Sequence, residues 1–369
     1  MWENYLPTEI HFGVGAFKNA KELFERFEAK KIFLVTGQHA MKKTGHTDEL
    51  IEMMKPAEVT LFDEVEANPL LETGQKGIDI LRELKPDLVI GLGGGSAIDA
   101  AKAMAITAQH EGDLLDYFHG EKDYSHKGFP FVAISSTPGS SSEMTCWSVF
   151  TFEGKKNGYG MHLMYPKIAL IDPELTLTLP QYQTGATGFD ILSHSIEAFW
   201  STNATPVSDA NALRAIELVF NHLPKTVNNL SDIKQREQMS LASVFAAMAF
   251  SQTVTTSVHA ASYPVTTKHG VAHGHACGLF LPAFFEFFYD KTPKMKELLR
   301  PMHVGSKEEA VNNMEQLLKD AGLKHKLSLV GVEEKEIDEI AKYLAGIPKP
   351  NPVKMTEADF RLIVEKAFK

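Results

Sequence analysis

Asp190 and His194 stand four residues apart, and His259 and His273 lie further along, near His269 and His275. On a helix, residues i and i+4 are neighbours about 5–6 Å apart at Cβ, so Asp190 and His194 make half of a divalent-metal site. Thr187 can cap that helix, with Asp190 three residues on. His259 falls on a helical stretch that Pro264 should end. His273 follows a glycine-bearing loop and precedes the next helix. Two ligands on one helix and two on a helix–loop–helix can surround one ion. A carboxylate with three imidazoles suits Fe(II) or Zn(II), not Mg or Ca, which prefer oxygen. His269 and His275 are substitutes for any one ligand. Plainer readings stay open at this point: an Asp–His ion pair, and histidines that hydrogen-bond within a core.

A second chemistry lies upstream. Gly93-Gly94-Gly95-Ser96 follows an apolar run and precedes an Ala-rich helical one. Glycines let a backbone approach a phosphate, and a helix start offers N–H groups and the positive end of its dipole. Ser96 can cap that helix. The string is not G-x-G-x-x-G, so a tight packing turn is the competing reading. Ser135 to Glu143 (SSTPGSSSE) is dense in hydroxyls and suits a nucleotide, or else is a solvated turn. After the first strand come Gly37-Gln38 and then Lys42-Lys43, with no acid to take a ribose diol. A basic residue there suits a 2′-phosphate, hence NADP; a solvated helix start is the alternative.

Positioning these groups requires two kinds of architecture. Lys31–Thr36, Val59–Val65, Pro86–Leu92, Phe131–Ile134 and Ile168–Ile171 read as buried strands, with helices at Leu70–Leu84 and Ser96–Thr107. Strands alternating with helices indicate a doubly wound, mainly parallel sheet. Val149–Tyr159, with Gly154 and Asn157-Gly158, reads as a hairpin. Beyond Pro173 the strand signal ends. Helices are expected at Gln183–Ser201, Pro206–Asn228, Ile233–Tyr263, Gly274–Tyr289, Lys307–Ala321, Glu333–Ala345 and Glu357–Phe368. The expectation is an α/β dinucleotide-binding domain over 1–180 and an all-helical, metal-binding domain over 181–369.

Composition limits the function classes. At ~150 residues per domain, 369 residues make about two. With 44% apolar and 23% charged residues the chain is too apolar for disorder. A net charge of −10 argues against nucleic acid or an anionic membrane as partner. Cys146 and Cys277 form no disulfide framework. MWENYLPTEIHFG has neither a basic nor an apolar leader region, so a cytoplasmic protein is expected.

Several strings together resemble the iron-containing (group III) alcohol dehydrogenase family over nearly the whole chain. They are YLPTEIHFG at the start, GLGGGSAIDAAK at 91–102, STPGSSSEMT at 136–145, IDPELTLTLP at 171–180, GFDILSHSIEAF at 188–199 and HAASYPVTTKHGVAHGHACGLFLP at 259–282. The propanediol- and butanol-type dehydrogenases share the Tyr-Pro that follows the third ligand. The resemblance implies that Asp190, His194, His259 and His273 are the metal ligands and that Gly93, Gly94, Gly95 and Ser96 form the pyrophosphate turn. It places Asp99 beside the cofactor near the catalytic centre, and Asn68, Ser136, Thr137 and Ser140 along the nucleotide. Gly37, followed by Gln38 and Lys42, replaces an Asp that favours NAD in some relatives, which supports NADP. Tyr263 stands where many relatives carry a proton-relaying His, and a phenol with a pKa near ~10 is a poorer relay. Tyr263, His269, a ribose hydroxyl or water then completes the proton path. Relatives carry a TTAGTGSE-like string where this chain has STPGSSSE.

The implied activity is hydride transfer between NADP (or NAD) and a small primary alcohol or aldehyde, at Fe(II) or Zn(II), in a homodimer. Phe150, Phe250 and Trp147 shape an apolar wall or are plain core. Two alternatives compete: a dehydroquinate-synthase-like lyase, and a non-catalytic nucleotide- or metal-binding module. The lyase needs several Lys and Arg, yet Asp190–Phe199 and His259–Pro282 hold one Lys and no Arg.

Overall fold

The computed structural model describes residues 1–369. They form two compact units, Leu6–Thr178, and Met1–Tyr5 with Leu179–Lys369. The first five residues thus count with the helical unit, not with the α/β one. There the Tyr5 N–H donates to Gln252 Oε1 at 2.8 Å and Gln252 Nε2 donates to the Tyr5 carbonyl at 2.9 Å.

The α/β unit holds β1 (Glu9–Phe12), β2 (Lys31–Gly37), β3 (Glu58–Val65), β4 (Leu88–Gly93), β5 (Phe131–Ser135), β6 (Trp147–Phe152), β7 (Lys155–Gly160) and β8 (Ile168–Ile171). Six of them form one sheet in the order β1-β8-β5-β4-β2-β3, parallel throughout. Side chains alternate across a strand, and β2 shows the result. Phe33 and Val35 join one core cluster with α4 (Leu71–Leu84) and α5 (Gly95–Thr107). Ile32 and Leu34 join the opposite cluster with α1 (Ala20–Glu25), α2 (Ala40–Lys43) and α3 (His46–Met53). A sheet buried on both faces needs continuous apolar runs; β4 is buried along its whole length and delivers its C-terminal end at Gly93. The short helix α6 (Leu114–Phe118) completes this unit.

The hairpin expected over Val149–Tyr159 is present as β6–β7. It turns at Glu153-Gly154, both at positive φ, while Asn157 and Gly158 lie inside β7. A Cβ at Gly158 would come 3.2 Å from Val149 Cγ2, so that glycine serves cross-strand packing instead of the turn. The edge strand β1 was not expected from the sequence.

The helical unit contains α7 (Gln181–Trp200), α8 (Pro206–Asn228), α9 (Ile233–Thr253), α10 (Ser257–His269), α11 (His273–Tyr289), α12 (Lys307–Asp320), α13 (Glu336–Ala345) and α14 (Glu357–Phe368). α7 is buried on nearly every side, as a central helix must be. Thr187 is interior to it and donates to the Thr184 carbonyl at 3.2 Å, so it caps nothing. The expected helix Ile233–Tyr263 is two, bent by 108° at a break that contains Val254, whose φ is +53. Pro264 lies inside α10 and does not end it. The break comes earlier because the buried Glu197 carboxylate accepts from the N–H groups of Thr256 and Val258, at 2.9 and 3.0 Å, and so anchors a fresh helix start. No single helix is long and apolar enough to cross a membrane.

Candidate metal centre and cofactor turn

α7 and α11 cross at unusually short range. A Cβ on Gly274 would lie 2.1 Å from the Ala186 carbonyl oxygen and 2.7 Å from Asp190 Cβ. Only a glycine permits that approach, and it sets His273, at the start of α11, against Asp190 on α7. α10 brings His259 to the same point. Asp190 Oδ1 lies 3.5 Å from His259 Nε2, 3.9 Å from His273 Nε2 and 3.9 Å from His194 Nδ1.

Hydrogen bonds on the far side of two rings settle which nitrogen faces inward. His259 Nδ1 donates to Glu197 Oε2 in a very short contact, which leaves Nε2 toward Asp190. The Ser262 hydroxyl donates to the His259 carbonyl at 2.7 Å, so His273 Nδ1–H donates to Ser262 Oγ at 3.1 Å and Nε2 again faces Asp190. His194 is held differently, its ring stacked between Phe250 at 3.9 Å and His259 at 4.3 Å. Phe250 therefore orients a site histidine, and Phe150, fully buried beside α4, is core of the α/β unit.

Asp190 Oδ1 and His259 Nε2 are buried and have no hydrogen-bond partner. Two converging, desolvated polar atoms left so are costly unless something binds both. The donor set fits a divalent cation: a carboxylate held ionised, plus imidazole nitrogens with their other nitrogen anchored. Burial works against the Asp190 charge, but the surrounding His194, His259 and His273 hold its carboxyl well below the usual range. Burial likewise opposes a proton on His259, while Cys277, Glu197 and Asp190 push its pKa above that of an ordinary imidazole. Side-chain exposure is 8% at Asp190 and 4% at His259 but 24% at His273, so the centre opens on the His273 side.

Two groups around the centre depart from expectation. His269 is not brought to it; its Nε2 pairs with Glu336 Oε1 at 3.1 Å. His275 is committed as well, Nε2 donating to the Lys324 carbonyl at 2.7 Å and Nδ1 lying 3.2 Å from the Tyr182 hydroxyl. Tyr263 stays close, its ring 5.8 Å from that of His273, and burial pushes its phenol up to about 12. Sequence reasoning missed Glu197 and Cys277. Spacing held the signal for both: Glu197 is seven residues after Asp190 on α7, and Cys277 four after His273 on α11.

In the α/β unit the glycine turn and the hydroxyl loop interlock. A Cβ on Gly95 would lie 2.5 Å from Ser140 Oγ, and one on Gly94 3.2 Å from Thr137 Oγ1. Gly94 precedes α5 without a side-chain cap. Ser96 does not cap; its Oγ accepts from the Asn68 N–H at 3.2 Å. Lys156, unremarked in the sequence, donates to Asn68 Oδ1 at 3.0 Å and brings positive charge to the turn. Asp99 is tied into the hydroxyl loop. Its carboxylate accepts from the Ser142 hydroxyl and, at 3.1 Å, from the Val149 N–H, and burial pushes its pKa up. Lys102, 3.8 Å away, ties the same loop down by donating to the carbonyls of Ser142 at 2.9 Å and Trp147 at 2.5 Å. At the end of β2, Gln38 Nε2 donates to the Glu64 carbonyl at 3.2 Å, and Lys42 pairs with Asp63 at 3.2 Å.

A family model described as iron-containing alcohol dehydrogenase matches residues 7–173, and one for the C-terminal part of the same family matches 184–368. The chain belongs to the iron-containing alcohol dehydrogenase family. A long-chain-alcohol dehydrogenase of Geobacillus thermodenitrificans is 32% identical, over 98% of this chain and 95% of that one. An NADPH-dependent butanol dehydrogenase of Clostridium saccharobutylicum is also 32% identical, over 98% and 97%. Among solved structures, a sulfoacetaldehyde reductase from Bifidobacterium kashiwanohense, in complex with NAD+, superposes with a TM-score of 0.93 at 31% identity, over 100% of this chain and 98% of that one. This family member is an NAD(P)-linked alcohol dehydrogenase of the metal-dependent kind, and the lyase and non-catalytic alternatives are not favoured.

Proposed function

We propose that the protein reduces small to medium primary aldehydes with NADPH, and oxidises the corresponding alcohols in reverse. One divalent cation, Fe(II) or Zn(II), is held by Asp190, His194, His259 and His273. The observation that carries this reading is the buried pair Asp190 Oδ1 and His259 Nε2, 3.5 Å apart and without hydrogen-bond partners. A cation bound there supplies Lewis acidity to a carbonyl or alcohol oxygen, while the nicotinamide supplies or accepts hydride.

The chain's own residues do the rest. Glu197 holds His259 in the tautomer that faces inward. Tyr263, its phenol at about 12, keeps its proton at neutral pH and serves as a hydrogen-bond donor at the open side, not as a relay. Gly93, Gly94, Gly95 and Ser96 present the start of α5 to the pyrophosphate, with Asn68, Ser136, Thr137 and Ser140 alongside and Lys156 adding charge. Asp99 positions the hydroxyl loop through Ser142. Gly37 and Gln38 put no acid at the end of β2 itself, and the Lys42–Asp63 pair is solvent-exposed enough for a 2′-phosphate to claim the lysine. A neutral substrate is favoured because α7 and α11 carry no Lys or Arg, and Lys268 on α10 is paired with Glu336. The protein works in the cytoplasm as a homodimer, for which exposed Trp2 and Tyr5 offer apolar contact area; light scattering checks the mass.

Steady-state rates with NADPH and NADH over a panel of aldehydes, paired with metal analysis, test the reading. NADPH should give at least a ~10-fold higher kcat/KM, and His259→Ala should lose both metal and turnover. Full activity in metal-free wild-type protein would overturn it.

A further inference from the structure

The ligand atoms of Asp190, His259, His273 and Cys277 all lie within 4.8 Å of one another. They come from three helices, α7, α10 and α11. Cys277 occupies the same face of α11 as His273, one turn on. Gly274 and Gly278 pack that helix hard against α7, at Asp190 and at Phe189, so the thiol between them is fixed in place. It is fully buried and in no disulfide. Its neighbours include the two buried atoms without hydrogen-bond partners, Asp190 Oδ1 and His259 Nε2.

We propose that Cys277 Sγ is itself a ligand of the metal centre and gives it a sulfur donor. This rests on the metal-centre reading above but assigns a residue which that reading does not. His194 approaches from the α7 side and Cys277 from the α11 side, and the three remaining ligands are common to both sets. On binding, the Sγ–metal bond forms as the S–H bond breaks; the proton leaves to solvent and no oxidation state changes. Thiolate is a soft donor that favours zinc over iron. The pocket is therefore biased toward Zn(II), and Cys277 is the residue that biases it.

X-ray absorption at the zinc edge of the full-length, zinc-loaded wild type tests this without any substitution. One sulfur scatterer at about 2.3 Å is expected beside nitrogen and oxygen at about 2.0–2.2 Å. Cobalt(II) gives an independent readout. The wild type should show a thiolate-to-cobalt charge-transfer band in the near ultraviolet together with ligand-field bands. Cys277→Ser should lose the first and keep the second, whereas Cys146→Ser, in the α/β unit, should keep both. Bound zinc with no sulfur shell, or ligand-field bands without charge transfer in the wild type, overturns the proposal and leaves the metal centre standing. Failure to bind either metal overturns both.

Discussion

A histidine that binds a metal must present a bare nitrogen, so its other nitrogen decides the outcome. For His259 that decision belongs to Glu197, which also accepts from the Thr256 hydroxyl and from the N–H groups that start α10. Glu197→Gln replaces a charged acceptor by an amide with one acceptor oxygen and should weaken zinc or iron binding ~10–100-fold, read by competition with a chelator. A second buried acid works in the opposite sense. Burial lifts the Glu143 carboxyl from an ordinary 4.5 to about 7, with Oε2 lacking a hydrogen-bond partner. Between those pH values the folded state keeps a proton that the unfolded chain has released. Stability therefore falls as pH rises through the window, by about 3 kcal/mol in all. Thermal unfolding across that range should show the decline in the wild type, and Glu143→Gln should flatten it.

At the scale of elements, the centre depends on how closely α7 and α11 approach. Gly274→Ala would set a methyl 2.1 Å from the Ala186 carbonyl. Backbone cannot yield as a flexible side chain does, so the helices must part. Overpacking of this kind costs about 1–3 kcal/mol or more, and the shift at Asp190 should reduce bound metal well below stoichiometric in elemental analysis. The spacing of Asp190 and His194 and the apolar runs of β2, β4, β5 and β8 were legible in the sequence, because local periodicity sets them. The α9–α10 break was not, since a carboxylate on a third helix creates it. Nor was β1, whose EIHF alternates at a sheet edge where no long apolar run is needed. Cys277 and Glu197 share helix faces with the expected ligands His273 and Asp190, yet a Cys or Glu at helical spacing has many duller uses until a structure shows where the face points.

For the whole molecule, the glycine turn proposed for the nucleotide lies in the compact unit Leu6–Thr178, and the four proposed metal ligands lie in the other, built chiefly from Leu179–Lys369. A ligand stabilises the state it binds by about 2.7 kcal/mol at a hundred times its Kd. That free energy acts on local opening wherever the bound groups must stay in place. Metal should therefore slow amide exchange first in α7, α10 and α11, whose side chains share Asp190, His259 and His273. NADPH should slow it first in the glycine turn and in 136–143, which interlock through Gly95 and Ser140. Hydrogen exchange read by mass spectrometry, with chelated, metal-loaded and NADPH-bound samples, separates the two. Protection confined to the helical unit on adding NADPH alone, with none at 93–96, would contradict the assignment of the nucleotide to the glycine turn while leaving the metal centre untouched.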